Sequence, residues 1–458
     1  MKTTKYFILA AFALSVSSCH IYKSYELPVE NSFVSKYDES AKAEKDSTSL
    51  PFLSWNEIFT DPLLQEYINT ALEKNKDLDD AVKNIDIARA QLKGAKLSYL
   101  PAVALNPNGG ASKYGSGKMD TWTYTIPMSI SWEVDIFGKI LNRKRGAQVA
   151  VDQMEDYYQA TRSQIICGVA NCYYGLILLN QQLALTERTS EIWKDQVESM
   201  KLMKLAGMVN EAAVVQSEAN YWNIMGTIPD IKNSINQMNN TLALLLHTYP
   251  QEFKVSGDMN FDLPEKLTSG VPVSYLAVRP DVKAAERGLA SAYYTTNSAR
   301  AAFYPGLTIS SNGGFTNLLG SMVSNPGKWF IQLAGSLAAP IFSRGQNIAT
   351  LEVAKARQKQ AMNAFEKSVL SASADVSNAL AAYKYNKEKR EFIIKQIDDL
   401  EKSVEYTQEL LTLNTSTTYL EVLTARSSLL SAQLSSLNAW HSKVSALITL
   451  YQAVGGGR

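Results

Sequence analysis

The chain is written twice. Asp77-Leu78 returns as Asp281-Val282, Ala81 as Ala285, Ala88 as Ala292, Ala95 as Ala299 and Pro101 as Pro305, all at an offset of 204 residues. Asn108-Gly109-Gly110 returns as Asn312-Gly313-Gly314 in the same register. The offset then drifts: Ile136-Phe137 aligns with Ile341-Phe342 at 205, Tyr158 with Phe365 at 207, and Gly207 to Gln216 with Thr415 to Thr424 at 208. So slow a drift means one supersecondary unit duplicated, with small loop insertions between its elements. Whatever one half folds into, the other half must fold into as well.

Each half has the same internal order. A helical stretch comes first, Pro62 to Ser98 and Ser274 to Phe303, rich in Ala, Leu, Lys, Glu and Gln and stopped by Pro101 and Pro305. Two extended segments follow. Then a helical pattern runs unbroken from about Lys139 to Leu205 and again from about Asn347 to Leu413. Some 67 residues at about 1.5 Å rise give a helix of roughly 100 Å. A helix of that length is stabilised by a coiled-coil-like partner along its whole course, not by one globular core. Returning helices run from about Asn210 to His247 and from about Thr418 to Val454, and Pro229 is expected to kink the first of them. The expected organisation is a leader over residues 1–18, a polar tether over 19–60 and a first repeat over 61–247. An equatorial connector over 248–273, a second repeat over 274–454 and a short tail over 455–458 complete it.

The extended segments alternate with a period of two. Trp122, Tyr124, Ile126, Met128, Ile130 and Trp132 share one face, and Thr123, Thr125, Pro127, Ser129 and Ser131 share the other. Eleven residues with aromatics at both ends match a membrane β-strand, whose apolar band is bounded by aromatic girdles. Trp329 to Leu337 alternates similarly through Ile331 and Leu333, opposite Gln332 and Ser336. Ala102 to Leu105 and Leu307 to Phe315 are weaker partners, expected to end in glycine-rich turns. Four strands cannot close around a lumen, and lipid does not tolerate an open sheet edge. If these strands span a membrane, several chains share one barrel.

Composition excludes more than it assigns. The 45 basic and 44 acidic residues give a net charge of +1, which argues against a general nucleic-acid binder. His20, His247 and His441 lie far apart and in no metal-ligand spacing, and no phosphate loop, nucleophile elbow or zinc motif occurs, so neither a metal site nor an enzyme is expected. Cys167 and Cys172 sit on different faces of a helical pattern and read as packing residues. The N-terminus is an export address: Lys2 and Lys5, an apolar core from Tyr6 to Val16, then Ser17, Ser18 and Cys19. Cys19 stands where a bacterial lipobox places the lipidated cysteine. Cleavage before it removes two lysines, leaving a formal charge of −1.

Several motifs lie in order on this duplicated frame: Trp132-Glu133-Val134-Asp135-Ile136-Phe137-Gly138, Arg279-Pro280-Asp281-Val282, Ala299-Arg300-Ala301-Ala302-Phe303-Tyr304-Pro305, Pro340-Ile341-Phe342 and the terminal Leu450-Tyr451-Gln452-Ala453-Val454-Gly455-Gly456-Gly457. Together they resemble the lipoprotein branch of the TolC-like outer-membrane efflux channels, over nearly the whole mature chain. The resemblance implies a mainly α fold with a membrane β-barrel. Three chains would combine four strands each into a twelve-stranded barrel, above a twelve-helix periplasmic α-barrel. It implies a lipid-anchored outer-membrane protein with covalent lipid on Cys19 and no other cofactor. It also implies a passive duct whose partners are a periplasmic adaptor and an inner-membrane transporter of the proton-driven resistance-nodulation-division type. A duct of a type I secretion or other export system, or a non-conducting structural surface lipoprotein, are the readings beside it.

The resemblance also locates the site. Gly207, Met208 and Val209 in one hairpin tip and Thr415, Ser416 and Thr417 in the other would dock the adaptor. Relatives carry glycine where this chain has Thr415, so the second turn is expected to differ, with Asn414 a candidate for the left-handed region. Leu420, Glu421 and Thr424 match positions that line the closed pore. Relatives often carry aspartate at the position of Thr424, so one acidic ring is expected here in place of two. Trp122, Tyr124, Trp132 and Trp329 would be the membrane-facing aromatics.

Overall fold

The computed structural model describes residues 23–28, 54–112, 121–261, 277–316, 328–412 and 419–457. Helices α1 (Trp55–Ile58), α2 (Pro62–Lys74) and α3 (Lys76–Leu97) open the first repeat. Strands β1 (Ala102–Leu105), β2 (Asn108–Ser112) and β3 (Thr121–Val134) follow, then the hairpin of α4 (Lys139–Leu205) and α5 (Glu211–Leu245). The second repeat runs α6 (Pro280–Ala301), β4 (Gly306–Thr316), β5 (Lys328–Ala338), α7 (Gln346–Thr412) and α8 (Tyr419–Ala453). The two long helices have 67 residues each and the two returning helices 35 each, so the duplication is preserved in element length. No described helix is long and apolar enough to cross a membrane.

Boundaries differ from the sequence expectation at the opening helix of each repeat: the second, expected from Ser274, begins at Pro280. The first helical stretch is two helices, broken at Asn75. Its backbone leaves the helical region at φ −64° and ψ 131°, and its side chain accepts from Asp77 N at 2.9 Å and Leu78 N at 3.3 Å, capping α3. A second difference concerns the glycine-rich segments. Asn108-Gly109-Gly110 and Asn312-Gly313-Gly314 are strand, not turn. A Cβ at Gly314 would run into the Ile126 carbonyl, so glycine there admits a close backbone approach.

The helix ends are locally encoded. Asp135 accepts from Ile140 N at 3.1 Å and Leu141 N at 2.6 Å, capping α4. The ends of α5 and α8 carry the same Schellman arrangement. Thr248 N donates to Ala243 O and His247 N to Leu244 O; in the second repeat Gly456 N donates to Tyr451 O and Gly455 N to Gln452 O. The residue in the left-handed region is His247 (φ 51°) in one repeat and Gly455 (φ 86°) in the other.

The chain divides into two compact units, and each draws on both repeats. One combines Lys83–Asp156 and Lys283–Lys367 with the described residues of Met1–Pro28. Its packing includes Ala88 and Leu92 of α3 against Val151 of α4. Tyr25 also lies against α6, with its N–H donating to the Tyr294 hydroxyl at 3.1 Å. The sheet belongs to this unit. The other unit holds the described residues of Val29–Val82, Tyr157–Val282 and Ser368–Arg458. Here residues 251–261 form neither helix nor strand and are held by side chains. Trp440 Nε1 donates to Met259 O at 2.7 Å, Tyr67 Oη to Lys254 O at 3.0 Å, and Phe261 stacks on Tyr174 at 4.9 Å. Burial pushes the Tyr173 phenol up to about 12, so it stays protonated and donates to Asp61 at 2.7 Å.

In that second unit each repeat is closed by an equivalent clasp. Asn75 Nδ2 donates to Leu245 O, the last carbonyl of α5, at 2.9 Å. Arg279, at the matching position of the second repeat, donates to Ala453 O, the last carbonyl of α8, at 3.0 Å. Arg279 is buried and also pairs with Asp281 at 2.6 Å and Asp375 at 3.1 Å. Burial opposes its charge, but the two carboxylates more than compensate and leave its affinity for the proton raised.

Candidate functional site

The first hairpin tip is a Schellman turn. Met208 N donates to Met203 O at 2.9 Å and Gly207 N to Lys204 O at 3.0 Å, with Gly207 at φ 74°. A side chain there would be strained, which is why glycine suits the reversal. Asn210 then caps α5 by accepting from Ala213 N at 3.1 Å, and Lys204 pairs with Glu211 across the turn. Met208 is 59% exposed, and Leu202 and Leu205 beside it are 67% and 83% exposed. These two leucines enlarge the apolar tip and carry no motif that marks them in the sequence. Thr415, Ser416, Thr417 and Asn414 lie outside the described residues.

The pore residues expected from the resemblance come to one face of α8. Leu420, Glu421 and Thr424 are all exposed, while the neighbouring Val422, Leu423 and Ala425 are buried. Spacings of one and four residues place all three within about 100° of the helix circumference. Thr424 Oγ1 donates back to Leu420 O at 2.8 Å, so its hydroxyl is already engaged within the helix.

What holds that face outward is a residue the sequence did not single out. Tyr419, at the start of α8, is buried with Trp193 and Met200 of α4, Val214 and Ile224 of α5, and Leu423. Its hydroxyl shares a 2.5 Å hydrogen bond with Ser217 Oγ of α5, itself fully buried. Burial raises the phenol pKa further above its ordinary value. This bond ties the first hairpin to the second beside the exposed face of Leu420, Glu421 and Thr424.

The sheet is two-faced. Its order is β1-β3-β4-β5, all antiparallel, and β2 pairs with the other end of β3, sharing the edge with β1. Five strand segments therefore occupy four positions. Residues directly opposite in an antiparallel ladder share a face. One face carries Ile126, Phe315 and Trp329 in one row, Leu105, Met128, Gly313 and Ile331 in the next, and Val103, Ile130, Ser311 and Leu333 in the third. The other carries Ser129, Asn312 and Gln332 in one row, and Ser131, Ser310 and Ala334 in another.

Trp329 and Ile331 on the apolar face are 72% and 73% exposed. Tyr124 lies on that face, and at the opposite end Trp132 Nε1 donates to Tyr99 O at 2.9 Å. Tyr124 and Trp132 are eight residues apart, about 26 Å along a strand at about 3.3 Å per residue, near the ~25 Å apolar band of a membrane barrel. Trp122 pairs with Ala111 in the backbone register; its side chain lies outside the described residues.

The outer edges of β1, β2 and β5 have no strand partner in the chain among the described residues. Those residues also hold no group of His, Cys, Asp or Glu that could bind a metal ion.

This geometry agrees with known proteins. The model of the outer membrane efflux protein family matches residues 67–247 and 271–456, most of the chain. The chain belongs to that family. It is an efflux protein of the outer membrane. Among curated relatives, the probable outer membrane lipoprotein SilC of Salmonella typhimurium is 29% identical over 88% of each chain. The cation efflux system protein CusC of Escherichia coli strain K12 is 26% identical over 97% of this chain and 98% of its own. Among solved structures, the MtrE outer membrane channel of Neisseria gonorrhoeae, in its open state, superposes with a TM-score of 0.81 at 27% identity. That match covers 95% of this chain and 97% of MtrE.

Proposed function

We propose that the chain is the outer-membrane duct of a tripartite efflux pump and works as a homotrimer. The observation that carries this is the sheet: apolar on one face, polar on the other, with both edges unpaired among the described residues. A membrane β-structure with open edges leaves its backbone groups unsatisfied in lipid, so neighbouring copies must pair with them. Three copies contribute twelve strand positions, an even number within the range of outer-membrane barrels. Leu420, Glu421 and Thr424 form the pore rings at the periplasmic entrance.

The exposed tip around Gly207, Met208 and Val209, with Thr415 to Thr417 as its counterpart, receives a periplasmic adaptor, and an inner-membrane transporter, proton-driven, supplies the energy. Cys19 carries the lipid anchor. Relatives are named for efflux of cations, toluene and antibiotics, so the choice of cargo rests with the other components.

Single-channel recording tests the core of the reading. The purified protein reconstituted in a planar bilayer is expected to show stepwise conductance, and Leu420→Ser is expected to raise it. A protein that inserts as a trimer yet never conducts, with or without adaptor, would overturn it.

A further inference from the structure

We propose that the cavity between α4, α6 and α7 is a weak binding site for amphiphilic organic anions. It measures about 740 Å³, within the size range of small-molecule sites, and lies wholly in the unit that holds the sheet. It sits at the strand end of the helices. Lys139, which opens α4 after β3, and Gln346, which opens α7 after β5, both line it.

Two kinds of surface meet there. Lys139, Arg143 and Arg357 bring three positive charges to one cavity. Lys139 is shared with Glu133 at 2.8 Å, whereas Arg143 and Arg357 form no ion pair among the described residues. Both arginines are exposed, so their planar forks are open to a sulfonate, phosphate or carboxylate head. The first turn of α7 adds the positive end of its dipole. The floor is made of short side chains, with Gly146, Ala147, Ala150, Ala299 and Ala302 among them. A flat apolar body lying on such a floor is removed from water. Cations above an apolar floor favour an anion that carries its own apolar surface over a fully hydrated inorganic ion.

The face of α6 that lines the cavity sets the side on which it opens. Ser291, Thr295, Ser298 and Ala302 line it and fall within about 60° of the helix circumference. Tyr293 lies on the opposite side, where its ring meets Tyr25 at 5.7 Å and its hydroxyl donates to Lys23 O at 3.3 Å. A segment running to a lipid anchor stays outside a duct, so the cavity opens to the lumen. This last step rests on the duct and the Cys19 anchor proposed above; the site itself does not. Conduction requires that a site in the path release what it binds. The cavity therefore delays anionic amphiphiles just short of the sheet and leaves the choice of cargo to the other components.

Equilibrium dialysis tests this, with the full-length protein in phosphatidylcholine nanodiscs, empty nanodiscs as the blank and naphthalene-1-sulfonate as the probe. The sulfonate is expected to bind saturably, and the cation 1-naphthylmethylammonium, of similar apolar body, about tenfold more weakly or less. The double variant Arg143→Gln with Arg357→Gln is expected to lose about tenfold in affinity for the sulfonate. Ala150→Leu, which fills the floor and leaves every charge in place, is expected to weaken binding with the helical circular dichroism unchanged. Equal binding of the two probes, or an unchanged affinity in either variant, would overturn the proposal. So would a wild-type protein that does not bind the sulfonate; if it bound dihexanoyl-phosphatidylglycerol instead, the cavity would be a lipid-headgroup seat. A protein that binds the sulfonate as expected yet never conducts would count against the duct alone.

Discussion

Replacing Arg279 by alanine should destabilise the protein more than replacing its twin Asn75, by an amount the two clasps allow to be estimated. Arg279 donates to the buried Ala453 and Ala372 carbonyls at 3.0 and 3.4 Å, and to Asp281 and Asp375. The two carboxylates are about half exposed, so after truncation water takes over and each pair counts for at most ~1 kcal/mol. The carbonyl ending α8 has no such recourse; a hydrogen bond from a charged donor is worth about 1.5–3 kcal/mol. The total expected for Arg279→Ala is about 2–4 kcal/mol.

Asn75→Ala removes one neutral bond to Leu245 O and the cap of α3, about 1–2 kcal/mol together. The assay is guanidinium unfolding of the detergent-solubilised protein, followed by helical circular dichroism at fixed protein concentration. Arg279→Lys should recover only part of the loss, because an ammonium lacks the planar fork that reaches several acceptors at once. An Asn75→Ala variant as damaged as Arg279→Ala would refute the ranking. A deficit in Arg279→Ala that disappears in 1 M salt would show that the exposed carboxylates, not the buried carbonyl, carry the energy.

Ile331→Lys puts a cation on the apolar face near mid-strand and should cost about 2–4 kcal/mol per copy; the outer-membrane fraction should lose the protein, whereas Gln332→Lys, one residue along, should leave assembly intact. Tyr419→Phe removes the 2.5 Å bond to Ser217 and strands a buried hydroxyl, a loss of about 1–2 kcal/mol. Its open probability in single-channel records should rise, and an unchanged record would remove this bond from the gate. His247→Gly relieves a left-handed non-glycine residue at the end of α5 and should stabilise by about 1 kcal/mol, read as a higher unfolding midpoint.

Much of this fold is legible in the amino-acid order because it is encoded locally. The 67-residue span of α4 is set by Asp135 at one end and by the Gly207 turn at the other, within a few residues of the helix they bound. The apolar rows of the sheet follow from strict alternation, since a strand cannot place neighbouring side chains on one face. That Leu420, Glu421 and Thr424 share one exposed face follows from their spacing once the helix is recognised, whereas their proposed place in a pore comes from the family resemblance.

What escaped the sequence depends on partners far away in it. The break at Asn75 looks like any polar helical position until Leu245, 170 residues on, accepts its amide. The Asn-Gly-Gly segments suggest turns until β3 shows them paired as strand. Tyr419 is one aromatic among many until Ser217, 202 residues earlier, meets its hydroxyl. Local hydrogen bonds and periodicity therefore determine which elements form, where the long helices end and which strand face is apolar. Which buried donor closes each repeat, and what anchors the start of α8, is decided by tertiary structure, because a desolvated polar group is stable only where the fold delivers its partner.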